Sequence, residues 1–502
     1  MKKLLLITTF LFTLTLYAQN NPDFYLAPNG VTCMCPGADF GDTGTLTING
    51  ETITLTKRTE TELRNLAINN IDDPQIALTC TSGITDMNDL FFGLNTYNSS
   101  FNQNLEHWDV SNVTDMDEMF QEKSSFNQPL DNWDVSNVTD MDEMFKEASS
   151  FNQPLDNWDV SQVTTMAFMF YEAESFGQPL NNWDVSNVTT IRHMFYGAES
   201  FDQPLNNWDV SQVTDMQLIF GDATSFNQPL DNWDVSQVTN MFAMFSGATS
   251  FNQPLNSWDV SNLTNMGGMF YGASSFNKSL DNWDVSNVTT IRYMFYGAES
   301  FDQPLNNWDV SQVTDMQLIF GDATSFNQPL NNWDVSQVTD MAYMFIDATS
   351  FNQSLNNWDV SQVTDMRFMF NDASSFNQDI SMWCVEQIPN EPQDFAVNSA
   401  LQNNFLPNWG AECNLSTTNP EAIGLNILIY PNPSNSKVFI ENDGQIILSK
   451  IKLIDMLGRE IKTFSASQIT HGLDVSGVDA GNYFVQFTTV DNQQFVKRLI
   501  VN

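Results

Sequence analysis

The chain runs to 502 residues, more than one ordinary globular domain holds. It carries 61 acidic side chains against 18 lysines and arginines, a formal net charge of −43. That balance sets aside nucleic acid and anionic lipid as partners, because both need a basic patch to displace counterions. High net charge with low hydropathy favours disorder, but 13% aromatic content at regular spacing argues for a packed chain.

The first residues, Met1-Lys2-Lys3 followed by an apolar run over 4–17 and then Ala18, have the layout of a secretory signal peptide over 1–18. The run is too short to span a membrane, and no other run is long enough, so no transmembrane span is expected in the mature chain. A small module follows over 19–83. Apolar and polar residues alternate over 45–55 around Asn49-Gly50, a hairpin signature. Thr59 and Glu62 then offer a capping box to a short helix carrying Leu63 and Leu66. This module is expected to cap the structure that follows.

From Phe101 to Phe376, twelve phenylalanines stand 25 residues apart, and twelve tryptophans keep the same step from Trp108 to Trp383. A fixed period of this length means that each unit buries its apolar face only against its neighbours. The near-invariant positions of one unit are Phe151, Leu155, Trp158, Val160, Val163, Met166, Met169 and Phe170. The stretch from Leu155 to Val160 suits a short strand, and Met166 to Phe170 suits one or two helical turns. The expected architecture over 84–413 is therefore an α/β repeat solenoid, like a leucine-rich repeat, with parallel strands and short helices. Residues 182–230 and 282–330 are identical except at His193/Tyr293, so repeat number has itself been altered by duplication.

Five cysteines flank the repeats: Cys33, Cys35, Cys80, Cys384 and Cys413. In an exported chain they read as staples, Cys384 with Cys413 and Cys80 with Cys33 or Cys35. Among the polar ladders, aspartates recur from Asp109 to Asp359. Neighbouring carboxylates at strand spacing repel by roughly 1 kcal/mol even in water. Hydrogen bonds from backbone N–H and Ser/Thr hydroxyls at turns offset this; a structural calcium ion bridging carboxylates is the sharper alternative.

The most variable positions lie between and just after the repeat methionines. Read as outward-facing helix positions, they place aromatics in a stripe on an acidic surface: Phe168, Tyr171, His193, Tyr196, Phe242, Tyr271, Tyr293, Tyr296, Tyr343 and Phe368. Such a stripe suits protein or glycan recognition, and packing between neighbouring units is the plainer account. Catalysis has little foothold. His107, His193 and His471 are scattered, no nucleotide, zinc-protease or nucleophile-elbow motif occurs, and no carboxylate pair stands in two distinct settings. No enzymatic activity and no resident cofactor are expected.

The repeat motif, carried by Phe151, Leu155, Trp158, Val160, Val163, Met166, Met169 and Phe170 and their equivalents, resembles that of BspA-like leucine-rich-repeat surface proteins. The resemblance covers roughly 84–413, Met382 to Trp409 looking like that family's last coil. It implies an exposed, often adhesive bacterial surface protein with no catalytic residues to carry over.

A linker is expected over 414–428, followed by a domain over 429–502 with strands near 437–440, 451–455, 483–488 and 495–501. Tyr430-Pro-Asn-Pro-Ser434, Leu453 to Arg459, Asp479 to Tyr483 and Lys497 to Asn502 resemble the type IX secretion C-terminal sorting domain of Bacteroidota. That resemblance implies a small all-β immunoglobulin-like sandwich that engages the type IX secretion machinery at the outer membrane. The expected location is secreted or at the cell surface, and the expected role is an adhesin or binding scaffold for a protein or glycan ligand. The alternative role is a structural spacer or surface-layer component without a specific ligand.

Overall fold

The computed structural model describes residues 21–93 and 100–412, and in the C-terminal part 427–430, 432, 434, 436–442, 448–455, 459–465, 472–489 and 494–501. The expected signal peptide, Cys413, His471 and nearly all of the expected linker lie outside the described residues. The chain divides into two compact units, one ending at Ala411 and one beginning at Glu412.

The first unit opens with strands β1 (Tyr25–Leu26) and β2 (Cys33–Met34), paired antiparallel. Strands β3 (Thr43–Ile48) and β4 (Glu51–Lys57) form the hairpin that the alternation predicts. Its turn residues Asn49 and Gly50 both have positive φ, 51° and 87°, the backbone that a two-residue hairpin of this hand requires. Helix α1 (Glu60–Asn69) begins on the capping box, with Glu62 N–H donating to Thr59 Oγ1 and Thr59 N–H donating to the Glu62 carboxylate. It buries Leu63 and Ala67 against the first repeats. Strand β5 (Thr79–Cys80) closes the sheet parallel to β4. Cys80 pairs with Cys35, and Cys33 keeps a buried thiol that burial and the nearby Asp109 push up to about 12.

The repeats overturn the expected α/β leucine-rich-repeat architecture. Among the described residues α1 is the only α-helix, and it lies in the cap. The Met166-to-Phe170 segment is instead a run of tight turns: Met169 N–H donates to Met166 O, Tyr171 N–H to Phe168 O and Ala173 N–H to Phe170 O, each three residues back. The intervening amides point along the stack. Met166, Phe168, Phe170 and Glu172 N–H donate to Thr190, Arg192, Met194 and Tyr196 O of the next repeat, at 3.2, 3.0, 2.9 and 2.6 Å. Phe168 and Glu172 are left-handed, φ 57° and 52°. A helix needs right-handed φ throughout and bonds four residues back, so these two facts together exclude one. The Leu155-to-Val160 stretch likewise folds as turns rather than a strand, with Trp158 N–H on Leu155 O.

What stacks the repeats is a chain of single-residue parallel bridges running from Asp86 through Asp115, Asp140 and Thr165 to Asp365. The first unit is therefore a column of turn-built repeats, mostly β in character, with its regular sheet confined to the cap. Phe, Leu, Trp, Val and Met side chains form one continuous core. Rings repeat in register: Trp158 and Trp183 stack at 6.4 Å and 1°, Phe151 and Phe176 at 6.0 Å and 6°. Where one repeat passes into the next, Phe170 lies 4.0 Å from Phe176. Each indole N–H from Trp133 to Trp383 finds the Leu carbonyl of the preceding repeat, as Trp158 Nε1 does Leu130 O at 2.9 Å. Trp108, which has no full repeat before it, leaves its Nε1 without a hydrogen-bond partner among the described residues. Amide ladders also run between repeats, Asn127 Oδ1 accepting from both Asn152 N–H and Gln153 Nε2. At the far end Phe395 turns edge-on to Phe370 and Trp409 edge-on to Phe395, which stops the parallel stacking. Cys384, there, is disulfide-bonded; its expected partner Cys413 lies outside the described residues.

The second unit has two open antiparallel sheets. One is ordered β10 (Leu473–Asp474), β7 (Lys437–Asn442), β6 (Ile427–Tyr430); the other β12 (Gln494–Val501), β11 (Gly481–Thr489), β8 (Leu448–Asp455), β9 (Glu460–Ser465). Val438 and Leu473 of the first share a core with Ile451, Leu453, Phe464, Val485, Phe487 and Leu499 of the second. Asn432, between the two prolines of the motif, ties this entry segment to β12 by bonds to Arg498 O and Ile500 N–H at 2.9 and 2.8 Å.

Candidate binding surface

Because alternate amides of the turn segment bond to the next repeat, equivalent side chains of successive repeats fall into columns. Phe168, Tyr171, His193 and Tyr196 come together: Phe168 stacks on His193 at 4.4 Å, Tyr171 on Tyr196 at 4.8 Å, and Phe168 meets Tyr171 at 5.8 Å. Tyr271 stacks on Tyr296 at 5.0 Å, and Tyr343 on Phe368 at 4.8 Å. Eight of the ten aromatics thus form three separate stacks, and Tyr293 and Phe242 make other contacts. Contacts run chiefly from repeat to repeat, where the helical reading places them within one repeat. Tyr293 turns to Gln317, its hydroxyl 2.9 Å from Oε1, with the Arg292 guanidinium over its ring at 5.7 Å. Phe242 lies against Gly267, where a Cβ would meet its ring at 3.4 Å. Nearly all these rings are half-buried; Tyr271 is 42% exposed.

A groove of ≈ 480 Å³ runs beside the first stack, lined by Lys146, Glu147, Phe168, Tyr171, His193, Tyr196, Leu218, Asp222 and Ser246. Lys146 Nζ lies over the rings of Phe168 and Tyr171, at 5.5 and 5.8 Å, while paired with Glu143 at 2.7 Å. Arg192 covers Phe168 at 5.3 Å. Burial, with Glu172 close by, pushes the Tyr171 hydroxyl up to about 12; a hydrogen bond to Asp222 raises Tyr196 further. Burial, helped by Arg192, lowers His193, whose Nδ1 is buried without a hydrogen-bond partner among the described residues. The groove therefore holds a neutral imidazole and neutral tyrosines among carboxylates.

Sequence reasoning passed over Lys146, Leu218, Gly221, Asp222 and Ser246. The signal was present in register: one column reads Lys146, Tyr171, Tyr196, Gly221, Ser246, Tyr271, Tyr296, Gly321. Gly221 seats the Tyr196 ring, since a Cβ there would fall 2.7 Å from Tyr196 Cδ2; Gly321 does the same for Tyr296 at 2.9 Å.

The aspartate ladder has a local explanation. Asp184 Oδ1 accepts from Ser186 N–H and Oγ at 3.1 and 2.7 Å, and the hydroxyl bond followed by the backbone bond lowers its pKa. The backbone bond recurs from Asp134 to Asp359. Asp109 is buried and takes Ser82 Oγ at 2.5 Å as well as Ser111. Among the described residues no group of three or more His, Cys, Asp or Glu side chains is arranged to hold a metal ion.

Comparison with protein families places two profiles on the chain. That described as "Mycoplasma protein of unknown function, DUF285" matches residues 63–181, 166–281, 214–333 and 300–409. These overlapping matches cover well over half of the sequence. The chain belongs to this family. The second profile, "Secretion system C-terminal sorting domain", matches residues 428–502, so the C-terminal unit of this DUF285 protein is a type IX sorting domain. The chain is thus a repeat protein bearing an export signal for the secreted or surface compartment. No helix among the described residues is long and apolar enough to cross a membrane. Comparison with curated proteins and with solved structures finds no match.

Proposed function

We propose that this DUF285 protein is a non-catalytic adhesin or binding scaffold of the BspA-like kind, which presents its repeats to a protein or glycan ligand. In this reading residues 1–18 direct export, 19–83 cap the repeats of 84–413, and 429–502 hand the chain to the type IX machinery across the linker at 414–428. The observation that carries it is the aromatic groove between Lys146 and Ser246, set in a region of 38 acidic and 6 basic residues over 101–375. Half-buried rings beside charged groups suit recognition, since aromatic anchors supply most of the energy of an interface. The test is adhesion of the full chain to cells and to a glycan array. Saturable binding that excess soluble protein competes away supports the reading; binding that never saturates refutes it.

A spacer role is the second reading, favoured by the near-identity of 182–230 and 282–330. Adding repeats lengthens a column without needing a defined ligand. Loss of adhesion on deletion of residues 200–299 (four whole repeats) with no loss of surface display separates the two: a spacer loses reach, a binder loses affinity.

A further inference from the structure

We propose that the gap between the two tyrosine pairs, over Ser246 and beside Tyr271, receives the guanidinium or ammonium group of a basic polypeptide segment. The inference rests on the binding reading above and names its partner class.

The column that begins at Lys146 is held in register by a run of backbone bonds. Glu147, Glu172, Gly197, Asp222, Gly247 and Gly272 N–H donate to Tyr171, Tyr196, Gly221, Ser246, Tyr271 and Tyr296 O, at 2.6 to 2.7 Å. Each member is therefore the immediate neighbour of the next. At the start of the first tyrosine pair the chain supplies its own cation: Lys146 caps Tyr171 and Phe168. At the start of the second pair the register holds Ser246. Tyr271 stacks on Tyr296, its neighbour on the other side is this short serine, and it stays 42% exposed.

A carboxylate already leans into that place. A Cβ added at Gly247 would fall 2.0 Å from Asp222 Oδ1, so Asp222 lies over the glycine beside Ser246. Tyr196 holds the same carboxylate through its hydroxyl. The position that Lys146 fills beside the first tyrosine pair is thus a ring, a carboxylate and a small floor beside the second, with no lysine or arginine at its register. A cation between an aromatic ring and a carboxylate gains from both. The surrounding charge, 38 acidic against 6 basic residues over 101–375, draws basic segments in and repels acidic ones. A neutral glycan would use the same ring but gain nothing from the carboxylate field.

The test titrates the full chain with a short fluorescent peptide of alternating arginine and glycine. Its counterpart with citrulline for arginine, and a neutral β-glucan oligosaccharide, are run beside it. The arginine peptide should bind, more weakly as NaCl rises, and the citrulline peptide should bind about tenfold more weakly or not at all. Ser246→Lys, which installs the chain's own cation as in the first copy, should weaken arginine-peptide binding about tenfold. Tyr271→Leu should do the same, while Asp159→Asn, in a serine turn, should leave it unchanged. Equal binding of the citrulline peptide overturns the inference, as does undiminished binding to Ser246→Lys. Because Ser246→Lys adds a side chain at the surface, it remains decisive if Tyr271→Leu fails to fold. Glucan binding without arginine-peptide binding overturns the partner class yet leaves the adhesin reading standing; failure of every probe and of cell adhesion removes both.

Discussion

Residues 182–230 and 282–330 differ at one position, yet the surfaces they help to build differ more. Their cores match: Phe195 stacks on Phe220 at 5.8 Å and 2°, and Phe295 on Phe320 at 5.7 Å and 2°. Both place a tyrosine over a glycine and against an aspartate, Tyr196 with Gly221 and Asp222, Tyr296 with Gly321 and Asp322. The difference comes from the repeats next door. Lys146, Phe168 and Glu172 precede the first copy, where Ser246, Gly268 and Gly272 precede the second. Ile346 follows the second where Ser246 follows the first. In a stack, the core belongs to the repeat and the surface belongs to the neighbours.

The largest test of this statement is in the core. Phe195→Ala and Phe295→Ala each remove a fully buried ring, and each should cost about 3–5 kcal/mol in denaturant unfolding, equal within error. Unequal costs would mean that neighbours shape the core too. Next, Gly221→Ala and Gly321→Ala push a methyl into side chains and should cost about 1–3 kcal/mol. The first should cost more, because its methyl would lie 2.7 and 2.8 Å from Tyr196 Cδ2 and Leu218 Cδ2, against 2.9 Å or more from every neighbour at Gly321. Smallest, Lys146→Ala should cost about 0.5–1 kcal/mol through the lost cation–ring contacts, and it should raise the exposure of Tyr171 towards that of Tyr271, read by iodination.

A pH test sharpens the same contrast at the first repeats. Burial, with Asp140 next for Asp117 and Asp89 next for Glu118, lifts both carboxyls to about 7 from ordinary values of 3.8 and 4.5. A raised carboxyl binds its proton more tightly when folded, so its contribution is complete below its unfolded value and is lost as pH rises through 7. Hydrogen exchange over 114–122 should therefore slow as pH falls from 8 to 5, after correction for intrinsic rates, while that over 289–297, where neither group is present, should change less. Asp117→Asn with Glu118→Gln should shrink the difference to the part left by Asp115, whose carboxyl burial also raises.

The sequence displayed the core plainly, because a ring every 25 residues has no other use than stacking. It hid the backbone. Met166, Met169 and Phe170 have the spacing of a helical face, and apolar spacing alone cannot separate a helix from successive turns. The discriminating residues lay beside them. The column Glu172, Gly197, Asp222, Gly247, Gly272, Gly297, Asp322, Asp347, Asp372 is left-handed throughout, with φ from 52° to 69°. Four glycines and four aspartates there mark a backbone that no helix contains. The aromatic residues were individually legible, but the gap over Ser246 was not, because small residues signal only when read against the neighbours one period away.

The central claim is that the repeats are columns of turns tied from repeat to repeat. Far-ultraviolet circular dichroism of the purified chain tests it most directly. The account predicts almost no helical double minimum, since the described residues hold one α-helix of 10 residues in a chain of 502. A strong double minimum, as a helix in every repeat would give, would contradict it.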